Sequence, residues 1–275
     1  MLRVLRPAGL PGLMLSGFVL FAVHTAGAVQ FQISDPVEFP RIIDTNAVFT
    51  TNIASLNTLI EGPVWVPNGQ YLVFSEVGSN RLMKLVLPNT LTDVLSLPPA
   101  AKYNGNILDL QERLISCECG SGGFKVVMTT NGVIVPLVTN CNSLKFISPN
   151  DVCVKSDGSI WFTDTGSDSG VNLPAPGYQT GYYVYRFYET NGSATVLPVI
   201  ADNLNLQRPN GICFSPDERK LYVADDGTSW TRRTIMVYNV TSSNTLTGGT
   251  TFCTASSGFV DGIRCDVDGR IWAAA

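Results

Sequence analysis

The stretch SPNDVCVKSDGSIWFTD, residues 148–164, decides the fold. It offers a bare amide, Asn150, at a Pro-led turn, then two short apolar strands joined by Asp157-Gly158, a strong short-range hairpin signal. The same unit recurs as EGPVWVPNGQYLVFSE (61–76), NGNILDLQERLISCE (104–118), PNGICFSPDERKLYVAD (209–225) and VDGIRCDVDGRIWAAA (260–275). The residue one place after each turn residue is Gly62, Gly105, Asp151, Gly211 and Gly262, at spacings of 43, 46, 60 and 51 residues. Repeats of this length built from short strands are the signature of propeller blades. Segments 82–87, 125–129, 182–188 and 235–240 supply outer strands, and no long stripe of 3.6-residue period competes with them.

The expected fold is therefore all-β, a six-bladed β-propeller whose C-terminal part lies outside this sequence. Five units are visible, and the fifth stops at residue 275, directly after its second strand. An open ring exposes sheet edges, so a propeller closes by bringing its last blade to its first. The competing arrangement is a five-bladed ring closed by the irregular lead-in, with a strand at 47–53.

The first 28 residues read as a secretory signal rather than as part of the fold. Arg3 and Arg6 form a positive n-region, LMLSGFVLFAV (13–23) an apolar core, and Ala26-Gly27-Ala28 an A-x-A cleavage site. The propeller domain is expected over 29–275, in the periplasm or outside the cell. The alternative is a signal anchor that stays attached. Asn191-Gly192-Ser193 and Asn239-Val240-Thr241 are glycosylation sequons, meaningful only in a eukaryotic secretory pathway.

The single histidine of the chain is His24. A chain cut after Ala28 has none, which excludes Ser-His-Asp catalysis, Cys-His catalysis and His-ligated zinc. Proton transfer then falls to carboxylates, Lys, Tyr, Cys or water on a metal. The net charge of −4 and the absence of a Lys/Arg run argue against nucleic acid. The seven cysteines (117, 119, 141, 153, 213, 253, 265) are an odd number, so at least one thiol is unpaired. Cys153, Cys213 and Cys265 sit within apolar strands and read as small buried hydrophobes. Cys141 with Cys117 or Cys119 is a candidate loop disulfide.

At equivalent turns the chain places Glu61, Asn104, Asn150, Asn210 and Asp261. The first strand of every blade lines the channel, so these turns converge on the axis at one end. Two carboxylates and amide oxygens around one point suit Ca²⁺, Mg²⁺ or Mn²⁺, with water completing the shell. Without a cation the carboxylates of Glu61 and Asp261 repel and their pKa values rise. Asn and Asp before Gly are also good turn formers in their own right. That plainer reading leaves Glu61 unexplained.

On EGPVW at Glu61, FSE with NR at 74–81, NG at Asn104, LISCE at Leu114, SPNDVCVKSDGSIWFTD, RPNGICFSPDERKLYVAD and DGIRCDVDGRIW, the chain resembles the gluconolactonase, senescence marker protein and regucalcin-like family of calcium-dependent six-bladed propellers. The resemblance runs from about residue 58 to the end. It implies that Glu61, Asn150, Asn210 and Asp261 form the metal site, with Asn150 partly a substrate contact and Asp261 the general base. Asn104 matches an asparagine at the substrate mouth. The implied chemistry is hydrolysis of a sugar lactone such as gluconolactone to the aldonic acid, with one divalent cation, Ca²⁺ first and Mg²⁺, Mn²⁺ or Zn²⁺ as alternatives.

Two departures matter. Cys117-Glu118-Cys119-Gly120 stands where many bacterial members read CEHG, and TGSDSG follows Asp164 where the family often has PPYG. Another metal-dependent esterase or phosphotriesterase on this fold, and a non-catalytic exported propeller with a structural ion, are the competing functions. Arg81 is expected to pair with a surface carboxylate. Trp65, Trp161 and Trp272 are expected in core or inter-blade packing rather than as a sugar platform.

Overall fold

A computed structural model describes residues 2–5, 59–87, 90–121, 123–166, 175–201, 206–227, 232–256 and 258–274. The lead-in with its expected strand at 47–53, most of the expected signal segment and the loop over 167–174 lie outside the described residues.

Within the described residues every element is a strand. The first sheet comprises β2 (Ile60–Val66), β3 (Tyr71–Glu76), β4 (Arg81–Val86) and β5 (Thr90–Leu95), preceded in the chain by β1 (Leu2–Leu5). The second comprises β6 (Tyr103–Leu108), β7 (Leu114–Glu118), β8 (Lys125–Thr130) and β9 (Val133–Val138), followed by a small hairpin, β10 (Asn140–Cys141) and β11 (Leu144–Lys145). The third comprises β12 (Pro149–Val154), β13 (Ile160–Asp164), β14 (Tyr183–Thr190) and β15 (Ser193–Ala201). The fourth comprises β16 (Pro209–Phe214), β17 (Lys220–Asp225), β18 (Thr234–Val240) and β19 (Leu246–Thr254). A fifth begins with β20 (Ile263–Cys265) and β21 (Ile271–Ala274), and β1 pairs antiparallel along the outer edge of β21.

Each complete sheet is an antiparallel meander in chain order, and the first strands of successive sheets lie side by side. This is the architecture of propeller blades set around an axis.

Apolar packing between blades holds the arrangement. Alternate residues of a strand face opposite ways. On β13, Trp161 packs with Ile212 and Leu221 of the fourth blade, while Phe162 joins Ile115 and Val126 of the second. Both faces of an interior blade are thus covered, which is why its strands read as apolar runs rather than as alternation.

The Asp157-Gly158 hairpin forms, with a three-residue loop between Lys155 and Ser159 and Gly158 left-handed at φ 83°. The same loop recurs between Asp266 and Arg270, with Gly269 at φ 82°. Trp161 is fully buried and Trp272 nearly so, in line with core or inter-blade packing, whereas Trp65 is 36% exposed. Arg81 pairs with Asp93 at 2.8 Å and Glu76 at 3.2 Å, as expected of a surface arginine.

Candidate functional site

A β-bulge places each candidate side chain. On the first strand of every complete blade the ladder gains one residue relative to its partner: between Glu61 and Val64, Tyr103 and Asn106, Pro149 and Val152, and Pro209 and Ile212. Such a bulge leaves a residue unpaired and re-aims its side chain. Asn104, Asn150 and Asn210 lie within these bulges, and Glu61, paired with Ser75, borders the bulge of its own blade at the same phase. In the fifth blade Asp261 N–H donates to Ala274 O at 2.9 Å, and Ala274 N–H to Gly262 O at 3.0 Å, placing Asp261 in the same position.

The bulges touch one another around the axis, and this contact demands glycine. A Cβ on Gly62 would lie 2.5 Å from Asn104 O, one on Gly105 2.5 Å from Asp151 Oδ1, and one on Gly211 2.5 Å from Asp261 O. The third blade breaks the pattern with Asp151. Its Oδ2 accepts the Ile212 N–H at 3.1 Å and Arg264 Nη1–H at 2.7 Å, so the carboxylate ties the third blade to the fourth and fifth.

Glu61 and Asp261, from the first and fifth blades, meet in a side-chain hydrogen bond. Burial drives the Glu61 carboxyl well above its ordinary range; the charges of Asp261 and Asp151 and the bond to Asp261 add to this, and Arg264 offsets it only in part. Asn104, Asn150 and Asn210, at the bulges of the second, third and fourth blades, are buried. Among the described residues no group hydrogen-bonds the side-chain amides of Asn104 or Asn150. No cluster of three His, Cys, Asp or Glu residues with metal-holding geometry occurs among the described residues. A cation here would therefore draw on two carboxylates and on amide oxygens. The donor set fits a hard divalent ion: it is all oxygen, and its two carboxyls are pressed together where an intervening positive charge would relieve them.

Three residues of this region escaped the sequence reading. Arg264 of the fifth blade pairs with Asp151 of the third. Asp226, fully buried, accepts a hydrogen bond from Asn210 Nδ2 at 3.1 Å. Burial pushes the Asp226 carboxyl up to about 7, Asn210 pulling it down and the Asp261 charge raising it further. The available signal was the doubled Asp225-Asp226, where the third blade reads Asp164-Thr165.

The cysteines take no part in this site as ligands. Cys117, Cys141, Cys153, Cys213 and Cys265 are free thiols, so Cys141 forms no disulfide with Cys117 or Cys119. Burial raises the Cys117, Cys153 and Cys213 thiols well above their ordinary range, which keeps them protonated.

The family described as SMP-30/Gluconolactonase/LRE-like region matches residues 59–275. The chain is 27% identical over 237 residues to the gluconolactonase of Zymomonas mobilis, an alignment covering 78% of this chain and 64% of that protein. It is 31% identical over 184 residues to the lactonohydrolase oryL of Aspergillus oryzae, covering 61% of this chain and 40% of that one. It thus spans less than two thirds of the length of either curated relative. Among solved structures, a gluconolactonase from Xanthomonas campestris superposes with a TM-score of 0.68 at 30% identity, covering 79% of this chain and 70% of that one. A regucalcin from Agrobacterium tumefaciens shares the fold, with a TM-score of 0.56 at 22% identity over 78% of this chain and 66% of that one.

Proposed function

Because the chain belongs to the SMP-30/gluconolactonase/LRE-like family, we propose that it hydrolyses a sugar lactone of the gluconolactone kind to the aldonic acid, with the ring of bulge residues as its active site. The observation that carries this reading is the Glu61–Asp261 side-chain contact within that ring. Glu61, Asn150, Asn210 and Asp261 would hold the divalent cation, Ca²⁺ by the hardness of the donors. When bound, the cation supplies Lewis acidity toward the lactone carbonyl and acidifies water.

The remaining work falls to the chain itself. Asp261 accepts a proton from water as its oxygen bonds to the carbonyl carbon, and returns that proton to the ring oxygen when the C–O bond breaks. Asn104 and Asn150, whose amides keep hydrogen-bonding capacity, orient the sugar hydroxyls. The packed bulges hold these groups at fixed separations before substrate arrives, which lowers the entropic cost of reaction. No covalent intermediate is required.

The domain is read as part of a six-bladed ring, exported after removal of residues 1–28, a cut that would also take β1 away from the edge of β21. The n-region, apolar core and A-x-A site support export.

The deciding measurement is acid release from glucono-1,5-lactone by the purified chain, after chelation and after return of Ca²⁺, Mg²⁺, Mn²⁺ or Zn²⁺, beside Asp261→Asn. Activity should vanish with chelator, return with one ion, and be lost in the variant. Folded protein with no activity above background under any ion would sink the gluconolactone assignment.

A further inference from the structure

One backbone hydrogen bond recurs in all four complete blades. The residue after the second strand donates its N–H to the carbonyl two places before the bulge residue: Val77 to Leu59 at 3.0 Å, Cys119 to Lys102 at 3.1 Å, Thr165 to Ser148 at 3.1 Å, and Asp226 to Arg208 at 3.2 Å. This bond sets the position beside the bulge residue of its own blade. Valine, cysteine and threonine serve there, so the fold does not require a carboxylate. In the third blade the Thr165 hydroxyl also turns back to Ser148 O, at 3.4 Å.

Asp226 behaves differently. Its side chain is fully buried, Oδ2 accepts from Asn210 Nδ2 at 3.1 Å, and Oδ1 has no hydrogen-bond partner among the described residues. Burying a carboxylate with one oxygen unmatched is costly unless a positive charge comes near, and the Arg208 guanidinium offsets that cost only in part. The acceptor also resolves an ambiguity in Asn210, since an amide can present either its oxygen or its NH₂ to a given side. With Nδ2 committed to Asp226, Oδ1 is left as the atom Asn210 can offer elsewhere.

We propose that Asp226 is a positioning residue for the cation site, acting through Asn210 by holding its Nδ2 so that Oδ1 is presented as a ligand. This rests on the cation site proposed above. Asp226 does not itself ligate; it orients a ligand, as outer-sphere carboxylates do at other metal centres. The fourth blade would on this account have exchanged a neutral filler for an acid because its bulge residue is an amide that must face one way.

The test is the Ca²⁺ dissociation constant, by calorimetry, of the chelator-treated full chain, Asp226→Thr, Asn210→Ala and the double variant. Threonine is chosen because Thr165 fills the equivalent place, and Asp226→Asn provides a second variant should the first fail to fold. Asp226→Thr should weaken Ca²⁺ binding by about 10- to 100-fold, the usual effect of losing such a partner. In the Asn210→Ala background the same substitution should have no further effect, because its route to the ion is gone. Unchanged affinity in folded Asp226→Thr would overturn the inference. So would an equal loss with and without Asn210, which would mean that Asp226 acts by its charge or as a ligand. Folded unsubstituted protein that binds no Ca²⁺ would overturn the cation site and this inference together, whereas binding indifferent to Asp226 would overturn the inference alone.

Discussion

Arg264 on β20 grips Asp151 on β12 with two hydrogen bonds, Nη1 to Oδ2 at 2.7 Å and Nη2 to Oδ1 at 3.1 Å, joining residues 113 apart in sequence. Asp151 occupies the position that is glycine in the other four repeats. It is nearly buried, and the Arg264 side chain is 33% exposed. Burial works against the Arg264 charge, but the charge and hydrogen bonds of Asp151 more than offset it, so the guanidinium stays charged. Breaking one side of a buried pair leaves an uncompensated charge, at about 3–5 kcal/mol. Asp151→Ala should cost about 3 kcal/mol, the low end because Arg264 is partly open to solvent. Urea unfolding checks this, and a loss below about 1 kcal/mol would show that the clamp contributes little.

Ca²⁺ should stabilise the chain by relieving the contact between Glu61 and Asp261. At 100 times Kd a ligand bound only to the folded state adds about 2.7 kcal/mol. The melting temperature should rise with Ca²⁺ in the native chain and stay put in Glu61→Gln. Without cation Glu61→Gln should be at least as stable as native protein, since it removes one of two apposed carboxyls. A cation-dependent rise that survives in Glu61→Gln would remove Glu61 from the ligand set.

Gly211→Ala should damage stability and site together. Its Cβ would meet Asp261 O and Ile263 N, both at 2.5 Å and both backbone atoms. Overpacking of this kind costs about 1–3 kcal/mol. The shift falls on Asp261, so turnover and Ca²⁺ affinity should drop with stability. Gly132→Ala, where a Cβ meets nothing within 4 Å but φ is +75°, should cost only stability.

Asp164 should give stability a pH dependence. Burial pushes its carboxyl up to about 7 from 3.8, against N–H donors from Ile147, Ser148 and Gly166 that pull it down. A carboxyl raised on folding favours the protonated form. Its contribution is present in full below 3.8 and is lost as the pH rises through about 7. Melting temperature should fall between about pH 4 and pH 7 in the native chain, and fall less in Asp164→Asn. An identical slope in the variant would exclude Asp164 as the source.

By itself the sequence determined the strands, the blade repeat and the shared phase of Glu61, Asn104, Asn150, Asn210 and Asp261. These are local properties: short apolar runs, turns punctuated by Gly and Asp, and one supersecondary unit used repeatedly. Tertiary structure alone decided which polar groups meet. The bulge that re-aims each turn residue exists only once two strands pair, and the Glu61–Asp261 contact requires the first and fifth blades to meet around the axis. The Arg264–Asp151 clamp likewise needs the fifth blade to come beside the third. Asp226 looked like one of two adjacent acids, and Asp225 takes the structural role by accepting the Arg208 N–H at 2.9 Å and pairing with Arg232 at 2.6 Å. What separates the two is the direction each side chain takes from the end of β17, which no spacing in the sequence records.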